Sequence, residues 1–462
     1  MSLESKTTVT STHQLEQSII AKDVAECLEN KLPAGEKLAV RVIHTSDHLV
    51  DSLTPRRTRS HFSTSSALSR RVLILVSRSD CFVAGLEAHE FTSISAELTC
   101  VPGNTDLIHN QNGNVATVSV DACIQKIDTT GELSMRMPLA RTLVAGYMRS
   151  LRRYRCLSGI SSIGVYLFAR AQPEYLFAKS QQNRGKRTLA DMALIKWWQG
   201  TMQYALLRAM SVGRREDGQG VGSGCKAAAL AYCVIPGAAA NEAASWFLGS
   251  CNSANNTPLV DDTIAQQSSQ SKDNGECPPV RWSWGLPYPD SARAHNCVLQ
   301  FPDDPMTRLL SEPHSNSWSV AMLLEMLSVS EECGSGHRTA YISASLPVAC
   351  LQSLPVELSA RRFATADQGS LSFDNYDDIL VALFDREMDF SDTKASISST
   401  ARLDAYLDSN HSIQPFVVNT NGPALSQTAR TDAAGNTSSS GNADTTKIND
   451  LSMMMRKKRK VI

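Results

Sequence analysis

Apolar runs too short to be anything but strands recur along this chain, separated by stretches with helical periodicity. That alternation narrows the fold before any motif is read. LAVRVIHT at 38–45, RVLILVS at 71–77 and CFVAGLEAHEF at 81–91 read as strands, as do NVATVSVDACIQKI at 114–127, SIGVYLFA at 162–169 and KAAALAYCVI at 226–235. Within 138–155, Leu139, Leu143, Tyr147, Leu151 and Tyr154 share one helical face, with Arg149, Arg152 and Arg153 opposite. A second helix is predicted over 189–210, opened by Thr188 and Asp191 as a capping-box-like pair, and a third over SVAMLLEMLSV at 319–329. Strands mixed with helices predict an α/β fold: a single large domain with a central mixed β-sheet surrounded by helices.

The domain is expected over residues 1–405. Two polar segments, 51–70 and 250–279, read as insertions in it, the second also fitting a linker. Residues 406–462 read as a disordered tail, because Asn, Thr, Ser, Ala and Gly bury too little apolar surface to offset the entropy of ordering. The tail ends in LSMMMRKKRKVI. Its basic cluster at 456–461 resembles a nuclear import signal, with a solvated basic tail as the plain alternative. Formal net charge is -1, so no global field selects nucleic acid or membrane. The 12 cysteines form no CxxC pair and, with the 10 histidines, suggest no metal site; they read as reduced core thiols of an intracellular protein. MSLESKTTVT at the start is polar, unlike a secretory signal, and no apolar run approaches the ~20 residues that span a bilayer, so the expectation is a soluble protein.

Three stretches carry possible chemistry. In KIDTTGELSMRMPLART at 126–142 a strand ends, TTG turns, and Pro138 stands where a helix would begin. Unpaired N–H groups at that helix start, with Arg136 and Arg141 beside it, make an anion site suited to phosphate or pyrophosphate; an ordinary strand–turn–helix with surface arginines is the alternative. After the strand at 162–169, the segment to 200 gathers Arg170, Lys186 and Arg187 with Phe168, Tyr175, Phe177, Trp197 and Trp198. Adjacent helical side chains diverge by about 100°, so one tryptophan is expected to pack inward while the other lines a groove. VLQFPDDPMTRLL at 298–310 holds Asp303 and Asp304 between two prolines, with Arg308 behind. That rigid pair reads as a positioned proton acceptor with its own counter-ion, or as a salt-bridged structural turn. A fourth stretch, REDGQG at 215–220, satisfies an R-x-x-G-x-G pattern, but it precedes a strand-like run instead of opening a helix and reads as a loop.

KIDTTG, the arginine-bearing helix after it, R-x-Q-x-x-YLF at 170–177, KR…L…KWW, IPG at 235–237 and FPDDP-x-x-R occur in this order. The sequence thereby resembles the fungal histone H3 lysine acetyltransferases named for regulation of Ty transposition, distant structural relatives of the CBP-type acetyltransferases. The likeness runs over roughly residues 35–385, and FPDDP-x-x-R and KWW are its most specific pieces.

The resemblance implies acetyl-CoA as co-substrate, no metal, and a histone H3 lysine as acceptor. Ile127 and Thr129, with Asp128, would line the acetyl end. Arg136, Met137, Pro138, Leu139, Ala140 and Arg141 would take the pantetheine and phosphates. Phe168, Arg170 and Gln172 would form the opposite wall, and Lys186, Arg187, Thr188, Leu189 and Trp197 would close over the coenzyme. Trp198 and Tyr175 would border the acceptor-lysine channel. Asp304 would be the acid/base, with Asp303 and Asp128 nearby and the choice between Asp304 and Asp128 open. Family members usually carry an autoacetylated lysine where this chain has Met306, a neutral side chain that would stand in for the modified form.

The resemblance further implies presentation of H3–H4 by histone chaperones of the nucleosome-assembly-protein and anti-silencing types. It implies a nuclear location and a role in replication-coupled nucleosome assembly, the DNA damage response and genome stability, with neither membrane nor specific nucleic acid as partner. A catalytically weak chromatin or chaperone adaptor that keeps the fold is the alternative.

Overall fold

The computed structural model describes residues 12–32, 34–51, 66–95, 117–132, 138–157, 160, 162–211, 228–239, 242, 280–302, 304–334, 338–347, 371–385, 387–411, 413 and 415–420. Its centre is a mixed sheet of strands β1 (Lys37–His44), β2 (His48–Asp51), β3 (Ser66–Arg78), β4 (Cys81–Ser95), β5 (Thr117–Thr129), β6 (Ser162–Ala169), β7 (Leu230–Val234), β8 (Arg281–Trp284), β9 (Ala340–Pro347) and β10 (Phe416–Asn419). The order is β10-β1-β3-β4-β5-β6-β9-β7-β8, with β2 paired to β3 off this path. Pairing is antiparallel except for β5 with β6 and β7 with β8, which are parallel. The β5–β6 crossover is filled by a helix, as a parallel pair requires.

Helices α1 (Thr12–Lys31), α2 (Leu139–Leu157) and α3 (Asp191–Met210) cover one face of the sheet. Their buried side chains, among them Val24, Leu28, Leu143, Tyr147, Ile195 and Met202, share a core with Val72, Ile74, Val120, Ala122 and Ile124 of the strands. On the opposite face, further along the chain, come α4 (Pro305–Leu310), α5 (Val320–Val329), α6 (Phe373–Leu383) and α7 (Thr393–His411). Tyr376, Ile379, Leu403 and Leu407 of α6 and α7 pack on Leu73, Leu75 and Phe82, and on Leu176 and Phe177 from the segment after β6. A separate cluster joins α4 and α5 through Met306, Leu310, Val320 and Leu323 to Trp318 and Tyr341.

A break in the β4–β5 ladder positions everything that follows. Glu87 pairs with Lys126 but Ala88 pairs with Ile124, leaving Gln125 as an extra residue. Before the bulge the even residues Val120, Ala122 and Ile124 face the helical core; after it Ile127 does. Asp121, Cys123, Lys126 and Asp128 therefore point the other way.

Several expectations change. The segment 51–70 is not wholly an insertion: Ser66–Arg70 belong to β3. Their polarity hides a strand because the polar groups are matched across it, Ser69 with His89 at 2.6 Å and Arg70 with Glu90 at 2.6 Å. The domain does not stop at 405, since α7 runs to His411 and β10 pairs with β1. Buried Leu407 and Val418 drive that continuation. Residue 190, an alanine, is the N-cap of α3 and makes no side-chain cap, so Thr188 and Asp191 form no capping box; Asp191 is simply the acid of the first turn. The arginines opposite the apolar face of α2 meet partners on neighbouring helices. Arg149 and Arg153 each reach Asp23 of α1 at 3.2 Å, and Arg152 donates to the Ala209 carbonyl of α3 at 2.7 Å. Residues 52–65, 250–279, 215–220 and 456–461 lie outside the described residues.

Candidate functional site

Two concave spaces meet over the end of β5. The larger is a cleft of about 840 Å³, walled by the end of β5, the start of α2, the segment after β6 and α3. Its floor at one end is apolar, with Ile127, Leu139, Leu189 and Leu194. Arg141, Arg170 and Arg187 supply cations along it. Pro138 and Leu139 place the unpaired N–H groups of the first α2 turn in the same space. A cleft of this size, apolar along its shaft and cationic with a helix start, suits a long ligand with an anionic end.

The backbone of this cleft is held by one carboxylate. Asp128 is buried and accepts from the Thr129, Tyr175, Leu176 and Phe177 N–H groups at 2.8, 2.9, 3.0 and 3.3 Å. Lys186 Nζ donates to it at 2.6 Å and to Ser180 Oγ at 2.6 Å. Lys186 can reach because two loops touch backbone to backbone. A Cβ at Gly131, whose φ is +92°, would lie 2.5 Å from Lys186 N, and one at Gly185 would lie 2.1 Å from the Gly131 carbonyl oxygen. Only glycine permits that approach.

The smaller space is a groove of about 620 Å³ on the other side of the bulge. It shares Ile124, Gln125, Phe168, Arg170, Gln172 and Tyr175 with the cleft, so the two adjoin along a common wall. Tyr175 is fixed there, its hydroxyl donating to the Arg170 carbonyl at 2.6 Å and accepting from Gln172 N–H at 3.0 Å. Asp304 enters the groove from the N-cap position of α4, yet its side chain closes no capping hydrogen bond. The Thr307 hydroxyl stands 3.5 Å from Oδ2. Burial pushes the Asp304 carboxyl up to about 7, against the opposing pull of nearby Thr307 and Met306 backbone N–H groups, Arg308 and the Thr307 hydroxyl. The strand-like entry to Asp304 is anchored by Phe301, whose ring lies 5.7 Å from Phe91 and 5.1 Å from Tyr166.

Most residues singled out from the sequence converge. Ile127, Asp128, Thr129, Pro138, Leu139, Ala140, Arg141, Phe168, Arg170, Gln172, Tyr175, Lys186, Arg187, Thr188, Leu189, Trp197 and Trp198 all line the cleft. Three do not enter this account, because Arg136, Met137 and Asp303 lie outside the described residues. Two places differ from expectation. Trp198 is buried in the core and Trp197 is partly buried against it, in an edge-on pair 4.9 Å apart at 72°, as adjacent helical side chains should be, but Trp198 borders the cleft and does not line the Asp304 groove. The Lys186 ammonium is spent on Asp128 and Ser180, so its contact with the cleft is through the stem. Sequence reasoning passed over Gln125, His89, Arg71, Lys126 and Phe373, which line the groove. Gln125 had a signal, the slip in apolar alternation between Ile124 and Ile127; Arg71, His89 and Lys126 come together only through pairing of β3, β4 and β5, and Phe373 comes from the start of α6. Among the described residues no group of His, Cys, Asp and Glu could hold a metal ion, and no helix is long and apolar enough to cross a membrane.

Comparison with known proteins bears on this geometry. Among solved structures, Rtt109 from Aspergillus fumigatus matches with a TM-score of 0.57 at 20% identity, covering 87% of this chain and 100% of that one, a likeness of fold. Among curated proteins, histone acetyltransferase rtt109 from Aspergillus flavus is 27% identical over 286 residues, 54% of this chain and 46% of that protein. The chain thus spans about half the length of that curated relative. A family model described as the histone acetyltransferase KAT11-type domain matches residues 148–406, more than half of the chain. With the mixed sheet, the cleft and the groove in place, this chain belongs to the KAT11-type histone acetyltransferase domain family.

Proposed function

We propose that this chain is a histone lysine acetyltransferase that acetylates histone H3 from acetyl-CoA. The observation that carries the reading is the adjacency of the cleft and the groove: Asp304 lines the groove, and Tyr175, Phe168 and Arg170 form the wall that the two spaces share. Acetyl-CoA, when bound, supplies an activated acetyl thioester. The residues present fit it: Arg141, Arg187 and the α2 start suit its phosphates, and Leu139, Leu189 and Trp197 its pantetheine. Ile127 and Thr129 line the same cleft and are assigned to the acetyl end.

The acceptor must lose a proton before it can attack. A lysine ammonium has a pKa near ~10.4, so about one in 1,000 is neutral at pH 7.4. A carboxylate whose pKa is about 7 is matched to that task at neutral pH. Asp304 takes the proton from the ammonium, and Tyr175 and Phe168 strip water from the lysine stem. Asp128 is a poor acceptor by comparison, since five donors already occupy its oxygens. Its work is to hold the cleft. Met306 is buried in an apolar cluster with Val298, Leu310 and Trp318, where an uncharged side chain belongs.

Presentation of H3–H4 by chaperones of the nucleosome-assembly-protein and anti-silencing types, and nuclear import through 456–461, complete the reading. Its cellular setting is replication-coupled nucleosome assembly and the response to DNA damage.

The central test uses purified protein, acetyl-CoA and H3–H4, with and without chaperone. Asp304→Asn is expected to lose about 10²–10⁴-fold in turnover with coenzyme binding intact. In the unmutated protein kcat/KM should rise with pH through an apparent pKa of about 7, a limb absent from the variant's residual activity. No transfer by the unmutated protein under any presentation would sink the reading.

The same carboxyl sets a stability signature. Its folded pKa of about 7 exceeds the ordinary 3.8, so between those values the folded state holds the extra proton. Stability from this group is full below about pH 4 and is lost as pH rises through 7. Thermal melts should therefore show Asp304→Asn gaining on the unmutated protein at pH 8 relative to pH 5.

Asp128→Asn is expected to behave oppositely. It leaves the Lys186 ammonium buried without its counter-ion, costing about 3–5 kcal/mol in urea unfolding and weakening coenzyme binding. Finally, with methionine at 306, progress curves should be linear from the start; a lag abolished by preincubation with acetyl-CoA would contradict that assignment.

A further inference from the structure

The groove face of β5 and β6 carries an acid that the acetyl-transfer reading leaves unused. The two strands pair in parallel, with Asp121 opposite Gly164 and Cys123 opposite Tyr166. Asp121 and Tyr166 point away from the helical core, because Val120, Ala122, Val165 and Leu167 beside them fill it. The two side chains meet over Gly164. A Cβ there would collide with Asp121 Oδ1 and would lie 2.7 Å from the Tyr166 ring and 2.8 Å from its hydroxyl. A residue larger than glycine would occupy the space in which carboxylate and phenol join. The Tyr166 hydroxyl donates to Asp121, and that bond opposes the burial that pushes the carboxyl up to about 6.

Tyr166 links this pair to Asp304. Its ring lies 5.1 Å from Phe301, which also packs on Phe91 at 5.7 Å. The Phe301 carbonyl accepts from the Asp304 N–H at 3.4 Å, so ring and acid are joined through one backbone hydrogen bond. Tyr166, Phe301 and Asp304 also line a single pocket of about 50 Å³. Stacking alone would leave the ring at 166 free to shift; the hydroxyl bond holds its other end. The neighbouring titratable groups leave that bond undisturbed. Tyr288 faces Asp121 and Cys123 faces Asp304, both kept uncharged at neutral pH by burial, while Arg308 and the Thr307 hydroxyl face Asp304 from α4.

Resting on the reading of Asp304 as the general base, we propose that Asp121 is a positioning residue for it. By holding the Tyr166 hydroxyl, Asp121 locks the ring against which Phe301 is seated, and Phe301 in turn keeps the Asp304 carboxyl in its dry position. Asp121 lines neither the cleft nor the groove, so it acts on the base through Tyr166 and Phe301. Two effects have to be separated. Losing the hydrogen bond loosens Phe301 and admits water to Asp304, which brings its pKa down. Losing the Asp121 charge would bring it down as well. Asp121→Asn removes the charge but keeps an acceptor for the Tyr166 hydroxyl, whereas Tyr166→Phe keeps the acid and removes the bond.

The test is the pH profile of kcat/KM for acetyl transfer to H3–H4, with acetyl-CoA binding measured in parallel. Asp121→Ala and Tyr166→Phe should each lose about tenfold in kcat and move the limb near pH 7 to lower pH, with coenzyme affinity unchanged. The double variant should do no more than either alone. Asp121→Asn should restore most of the turnover lost in Asp121→Ala and return the limb to its place. A limb unmoved in Tyr166→Phe, or moved as far by Asp121→Asn, would overturn the proposal while leaving the acetyltransferase reading standing. Losses that add in the double variant would do the same. Should Asp121→Ala fail to fold, Tyr166→Phe and Asp121→Asn decide between these outcomes. A limb that persists in Asp304→Asn, or no transfer by the unmutated protein, would remove the reading of Asp304 and the proposal with it.

Discussion

The Asp128 carboxylate is where three stretches of backbone are tied together, and the cleft exists because of that knot. One oxygen or the other meets the N–H groups that follow β5, those of residues 175–177 after β6, and the ammonium of Lys186 from the loop before α3. Each of these segments forms a wall. A buried charge of this kind is tolerable only when every lone pair is met, and here the donors are backbone groups that would otherwise be orphaned in the same turn. The knot is made wholly of the chain's own groups. A cleft held open this way spends less binding energy on ordering its own walls when the coenzyme arrives.

The bulge at Gln125 explains why cleft and groove are neighbours without being one space. A regular β5 would place Ile127 on the face of Cys123 and send Asp128 into the helical core. The extra residue reverses that phase, giving Ile127 to the cleft and Lys126 to the groove, with Gln125 bordering both. Bulges recur next to active sites because one inserted residue re-aims every side chain after it.

Much of the site was readable because its pieces are local. Pro138 after a turn marks a helix start, KWW cannot hide both rings in one layer, and two aspartates between prolines stand in a fixed frame. The likeness to known acetyltransferases joined those pieces in order. The family match begins at 148, so the cleft residues 127–129 and 138–141 stand on geometry. What could not be read is long-range. Asp128 and Asp304 are the same residue type in equally suggestive motifs, yet four of the five donors to Asp128 lie 47 to 58 residues away along the chain. The partners of the α2 arginines were not legible, because Asp23 and Ala209, which meet them, belong to helices distant in sequence. Strand β10, four residues in an Asn/Thr-rich stretch, has no period long enough to see and exists only through its pairing with β1.

Asp304 breaks a local rule at the point where chemistry would want it broken. An aspartate at an N-cap ordinarily turns its oxygen back onto the helix, which is worth about 1 kcal/mol. Here the side chain leaves that interaction unmade. Phe301, seated against Phe91 and Tyr166, fixes the approach to the helix from one side, and buried Met306 fixes it from the other. The carboxyl is thereby held in a dry position, and it is this burial that lifts its pKa toward neutrality against the groups that favour its charge. A capped, fully solvated aspartate would make a more stable turn and a weaker base. The sequence accepts the less stable arrangement at this position and recovers order from the aromatic and apolar contacts on either side.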